Sequence, residues 1–289
     1  MLTSKRKNDD KAKGRPRSRL ILVGIAVLVL LMGGLVAYML YTPGYKPLSD
    51  VPTANLLFSS DNKAYRLNFQ TGERTRSGFP TTMIDSRQDS PDGQWEARFE
   101  FVNGYYESIL LLDDLRSSVD EPRNLGTFYG ADNTISWSPD QKWLAFTAYD
   151  PQIDTSKGGH QAEIWMINVE TGELKRLSNN TMLDSDPFFS PNGTQLVYMS
   201  AVDGYARVYV MDVATGSSRL LTPDQYGDNP KWSPDGEWIA FEAFLLAPGS
   251  GSGYTTYRNI YVVRVDGTHG QFVTYGTDQS GALLGWESQ

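Results

Sequence analysis

Five aspartates, Asp85, Asp132, Asp184, Asp186 and Asp228, stand at the starts of short segments that each run into a Ser-Pro pair. Carboxylates gathered about one axis repel each other, so some hold protons at raised pKa or the group recruits a cation or a cationic ligand. Two of Asp132, Asp184, Asp186 and Asp228, held about 5 to 9.5 Å apart with divergent pKa values, would be the acid and base of a glycosidase or lyase. The plainer role is local, each carboxylate closing an Asx turn where a strand begins. Tyrosines crowd the same loops, among them Tyr105, Tyr129, Tyr226, Tyr254 and Tyr257. A tyrosine offers a stacking face and a hydroxyl with little entropy to lose, so those left exposed suit a protein, peptide or glycan. Packing between elements claims the others.

Other chemistries are excluded or weakened by composition. The absence of cysteine removes disulfides, thiolate metal sites, iron–sulfur clusters and cysteine nucleophiles together. Only His160 and His269 occur, with no local signature of a triad or a two-histidine metal site. No cofactor is expected. The net charge of −8 conceals an asymmetry: residues 1–19 carry eight Lys or Arg against Asp9 and Asp10, and everything beyond is strongly acidic. The main body therefore lacks the cationic face that nucleic acid requires.

Leu20 to Tyr41 contains no charged residue. At ~1.5 Å per residue it spans about 33 Å as a helix, the thickness of a hydrocarbon core. The basic cluster lies wholly on its N-terminal side, which places the N terminus in the cytoplasm and exports the rest. The run exceeds the usual apolar stretch of a cleaved signal peptide and lacks small residues at both cleavage-determining positions, so it reads as an uncleaved anchor. The expected organisation is a basic cytoplasmic arm over 1–19, a transmembrane helix over 20–41, a Pro/Gly-rich linker over 42–52 and a folded domain over 53–289.

That domain repeats. Ser90-Pro91-Asp92-Gly93, Ser138-Pro139-Asp140-Gln141, Ser190-Pro191-Asn192-Gly193 and Ser233-Pro234-Asp235-Gly236 are spaced by 48, 52 and 43 residues. Proline fixes φ and Asp or Asn with Gly tolerates a tight reversal, so each marks a hairpin. Downstream of each comes an apolar strand, followed after the last three by a second turn, Thr171-Gly172, Thr215-Gly216 or Asp266-Gly267, with Thr71-Gly72 serving an incomplete first unit. Two hairpins per period give four antiparallel strands, the content of one propeller blade. Leu56–Arg76 supplies the second, third and fourth strands of a unit, and Ala282-Leu283-Leu284-Gly285-Trp286 supplies its missing innermost strand. The spacing thus predicts an all-β, five-bladed propeller whose closing blade is shared by the two chain ends, removing two unpaired sheet edges.

These repeats resemble the WD-like propeller repeats of TolB-type proteins: Ser-Pro-Asp-Gly, an apolar strand with Ala-Phe, a strand ending in Asp and a Thr-Gly turn. The unit of Ser90 departs from the pattern, with Asp89 where an aromatic precedes the serine elsewhere and Arg98 between Ala97 and Phe99. The resemblance implies that the innermost strand lines a central channel and runs away from the ligand-binding face. The aspartates of the Ser-Pro turns are then structural, and the five carboxylates above lie at the opposite mouth. Two classes of function follow. One is a membrane-anchored, extracytoplasmic module binding a protein, peptide or glycan within a cell-envelope complex; the other is a glycosidase or lyase using the channel-mouth aspartates.

Overall fold

The computed structural model divides the chain into two units, Met1–Lys46 and Pro47–Gln289. It describes residues 54–60, 63–78, 87–102, 107–117, 121–131, 134–149, 162–248, 254–274 and 282–287, all in the second unit. The anticipated arm, membrane helix and linker lie outside these residues. Among the described residues no helix is long and apolar enough to cross a membrane.

The described chain is a series of strands: β1 (Asn55–Ser60), β2 (Lys63–Asn68) and β3 (Arg74–Arg76); β4 (Arg87–Asp89), β5 (Trp95–Phe101), β6 (Glu107–Asp114) and β7 (Arg123–Tyr129); β8 (Ile135–Trp137), β9 (Trp143–Tyr149), β10 (Ala162–Asn168) and β11 (Leu174–Arg176); β12 (Leu183–Phe189), β13 (Gln195–Val202), β14 (Tyr205–Asp212) and β15 (Ser218–Leu220); β16 (Gly227–Trp232), β17 (Trp238–Pro248), β18 (Tyr254–Arg264) and β19 (Gln271–Phe272); and β20 (Ala282–Glu287). They form five four-stranded sheets. Blades 1 to 4 run in chain order from β4, β8, β12 and β16, and the fifth has the order β20-β1-β2-β3. The expected shared blade is present: β20 pairs antiparallel with β1, Leu56 opposite Trp286 and Phe58 opposite Leu283, with a bulge between Leu57 and Phe58. All five sheets contribute to the wall of one cavity, which also receives the Ser-Pro turns.

Each Ser-Pro turn is built by a buried serine. Ser233, fully buried, donates to Asp235 Oδ1 at 2.6 Å and accepts from the Trp238 amide at 3.0 Å, while Asp235 accepts from the Glu237 amide at 3.1 Å. The same relay recurs at Ser90, Ser138 and Ser190. The Ser138 hydroxyl is the main cause holding the Asp140 carboxyl below its ordinary range. At the fourth turn position Gly93, Gly193 and Gly236 adopt φ of 67 to 72°, and Gln141 does so at 61° without being glycine, at about 1 kcal/mol of backbone strain. Ser233→Ala orphans the buried Trp238 amide and is expected to destabilise by about 1 to 3 kcal/mol in urea unfolding. A change below about 0.5 kcal/mol, the scatter of ordinary surface substitutions, would contradict the relay's role.

Strands are apolar on both faces where both are covered. In β9, Leu144, Phe146 and Ala148 pack with Phe99 and Leu110 of blade 1, whereas Ala145 packs with Leu196 and Tyr198 of blade 3. This explains continuous hydrophobic runs in place of alternation. Neighbouring inner strands are also locked by tryptophans: the Trp137, Trp232 and Trp286 indoles donate to the carbonyls of Gln88, Phe188 and Lys231 at 2.9, 3.0 and 3.2 Å. Phe189 and Asp89 hold the corresponding positions of blades 3 and 1 and have no indole to donate.

Candidate functional site

The inner strands begin at one end of the ring, here the loop face, and finish at the Ser-Pro turns, the turn face. Asp85, Asp132 and Tyr105 lie outside the described residues, as does the side chain of Tyr254, which opens β18. The remaining candidates fall at the loop face and are treated differently by their surroundings.

Asp184 at the start of β12 is fully buried. Asn180 Nδ2 donates to its Oδ2 at 2.7 Å, while Oδ1 has no hydrogen-bond partner among the described residues. Burial raises its pKa, nearby Ser200, Ser178 and Asn180 oppose the shift, and the charge of Glu163 adds to it. Glu163, also buried, receives Arg176 at 2.9 Å, the Ser178 hydroxyl at 2.5 Å and the Asn180 amide at 3.1 Å. Asp184 therefore belongs to a seam between blades 2 and 3 and presents no surface to a ligand.

Asp186 and Asn229 occupy matching places, each left-handed at φ 55° and 49° and each followed by proline. The left-handed region suits Asx residues, and the following proline disfavours helical φ/ψ. Asp186 accepts from Thr134 Oγ1 of the preceding blade at 2.9 Å. Asn229 Nδ2 donates to Glu242 Oε1 at 2.8 Å and to the Leu283 carbonyl at 3.1 Å.

Asp228 pairs with Arg258 at 3.3 Å and is partly buried, with Oδ1 unpartnered among the described residues. Burial pushes its pKa up to about 6; Arg258 opposes this, and Glu242 and Asp186 add to it. Glu242 is buried, bound by Arg258 at 2.8 Å and by the Leu283 amide at 2.8 Å. Asp186, Asp228, Glu242 and Arg258 thus form one electrostatic group, able to hold a cationic or hydrogen-bonding partner beside the closing strand. Among the described residues no cluster of metal-ligating side chains is present.

Of the tyrosines, Tyr226 stacks on Tyr205 with centroids 4.8 Å apart, and the Arg207 guanidinium lies 5.1 Å from the Tyr226 ring. Tyr129 is exposed near Tyr149 at the seam of blades 1 and 2. Tyr257 lies opposite Leu245 in the long β17–β18 hairpin, half-buried. Sequence reasoning missed Glu163, Glu242 and Lys231. The signal was a single charge inside an apolar strand, as in Ala162-Glu163-Ile164 and Phe241-Glu242-Ala243.

Fold and site together define a class: a five-bladed propeller closed by pairing of the chain's ends, with a carboxylate- and tyrosine-bearing loop face. The family model for the TolB beta propeller domain matches residues 80–245, and the chain belongs to that family. It is 26% identical over 197 residues to "Uncharacterized protein Atu1656" of Agrobacterium fabrum, covering 65% of this chain and 62% of that one. It is 32% identical over 105 residues to "Uncharacterized peptidase YuxL" of Bacillus subtilis, covering 36% and 16%. The chain thus spans less than two thirds of either relative. The crystal structure of TolB from Acinetobacter baumannii matches with a TM-score of 0.52 at 20% identity, over 78% of this chain and 53% of that one, a likeness of fold. A TolB-like propeller is consistent with a protein-binding module.

Proposed function

We propose that the chain is a membrane-tethered, extracytoplasmic binding module that presents its loop face to a protein within a cell-envelope complex, recognising a peptide segment or a glycan carried by that partner. One observation supports this reading most strongly. Of the six large apolar side chains exposed among the described residues, Tyr205, Val102, Tyr129 and Leu183, 53%, 49%, 46% and 40% exposed, lie at or beside strand ends on the loop face, against Leu115 and Leu174 on the turn face. Scattered single apolar side chains need no partner, but exposed tyrosine together with arginine, as in Tyr205, Tyr226 and Arg207, matches the residue types enriched at interfaces. Arg207 and Arg258, held against Tyr226 and Glu242, add rigid polar groups at low entropy cost.

Tethering and orientation rest on the uncharged stretch 20–41 and the basic arm ahead of it. The test is a photocrosslinking amino acid placed in the full chain at Tyr205 or, as control, at Glu237 on the turn face. A discrete adduct from Tyr205, with none from Glu237, is the expected result. Equal adducts from both positions, or none from either, would overturn the reading. An alkaline phosphatase fused after Gln289 should be active in cells, and an inactive fusion would reverse the orientation.

A further inference from the structure

The wall of the axial cavity at the turn face, about 400 Å³ in volume, is made from all five blades. Its lining is almost wholly apolar: a proline from each Ser-Pro turn, the rings of Trp137, Trp232 and Trp286, and Phe188. The polar groups in that wall are already engaged. The three indoles donate to carbonyls of neighbouring blades, and the Ser190 and Ser233 hydroxyls hold their own turns. Among the described residues one charged side chain lines the cavity, Lys231.

Lys231 forms no ion pair among the described residues. Its Nζ lies over the Phe188 ring, 3.2 Å from the centroid. Burial pushes its pKa down to about 8, while the charges of Asp186 and Glu242 oppose that shift. A partly buried ammonium with an aromatic face and no direct ion pair among the described residues is under-compensated, because a cation–π contact and carboxylates that do not bond it replace only part of the lost hydration. A carboxylate would supply the missing charge, and an apolar body attached to it would fill the aromatic and proline-lined cup.

We infer that the turn-face mouth of the channel is a binding site for an apolar organic carboxylate, with Lys231 as its ion-pairing group and the tryptophan and proline ring as its wall. The site lies at the other end of the inner strands from the loop face and stands or falls independently of the function proposed there. The carboxylate has two sources, a free small acid or the C-terminal end of a polypeptide.

The full-length chain is titrated calorimetrically with 3-phenylpropionate, with acetyl-Gly-Gly-Phe bearing a free carboxylate, with the amide of each, and with acetate. At least one of the two apolar carboxylates is expected to bind saturably, with its amide and acetate weaker by about tenfold or more. Lys231→Met, which keeps the length of the stem and removes the charge, is expected to weaken that carboxylate by about the same factor. Binding by the peptide alone assigns the site to chain ends, and binding by 3-phenylpropionate alone assigns it to free acids. Failure of both to bind, equal binding of the amides or of acetate, or undiminished binding to Lys231→Met would overturn the assignment.

Discussion

A chain ending before Ala282 is expected not to fold cooperatively. Removal of β20 strips Leu283, 4% exposed, from the core and leaves β1 as an open sheet edge. It also takes from the buried Glu242 the Leu283 amide, and from Asn229 the Leu283 carbonyl. Losing one buried leucine costs about 2 to 5 kcal/mol. Partly unpairing a buried carboxylate costs several more, of order 3 kcal/mol. The total reaches the whole stability of an ordinary domain, about 5 to 15 kcal/mol. Circular dichroism melting of the truncated and complete chains measures it. An unshifted, equally sharp transition would show that closure by the two ends does not hold the ring. Leu283→Ala, which keeps the strand, should fall between the two.

Asp228→Asn is expected to stabilise the protein at pH 7.5, by up to about 3 kcal/mol at roughly 1.4 kcal/mol per pH unit. The carboxyl titrates near 6 in the folded protein against an ordinary value of 3.8, with burial the principal cause. Because the folded state holds this proton more tightly than the unfolded chain, ionisation is disfavoured by folding. The cost is absent below 3.8, grows as pH rises through about 6, and is complete above it. Asparagine keeps the shape and removes the charge, and Arg258 retains Glu242 as its partner at 2.8 Å. Urea unfolding at pH 4 and pH 7.5 therefore should show little difference between variant and parent at the lower pH and a gain for the variant at the higher. A variant less stable at pH 7.5, or one with the parent's pH dependence, would mean that the Arg258 attraction outweighs burial.

Such a cost is tolerated where a charge serves something other than folding, which fits a carboxylate at the proposed binding face. The same logic separates Asp184 from Asp228. Both stand at strand starts, yet Asp184 is sealed into the seam with Glu163 and Arg176, whereas Asp228 keeps part of its side chain in contact with solvent.

Much of the fold was legible because its signals are short-range. The serine and the Asp or Asn of each Ser-Pro turn bond within five residues of one another, so the motif and its hairpin are one object. Their spacing then sets the blade count, and the incomplete first unit with its complement at Ala282–Trp286 predicts the closure that pairs β20 with β1. The candidate site was less legible. Asp186 and Asp228 could be placed on the loop face from the strand direction that the family resemblance implies, but burial, partners and proton affinity come from other blades. Leu283 reaches Glu242 across 41 positions, and Trp286 bonds Lys231 across 55. Whether a carboxylate is sealed, paired or left wet, and whether a lysine lines an apolar cup, depends on the dielectric and neighbours that assembly of the ring supplies, and no local pattern carries that information.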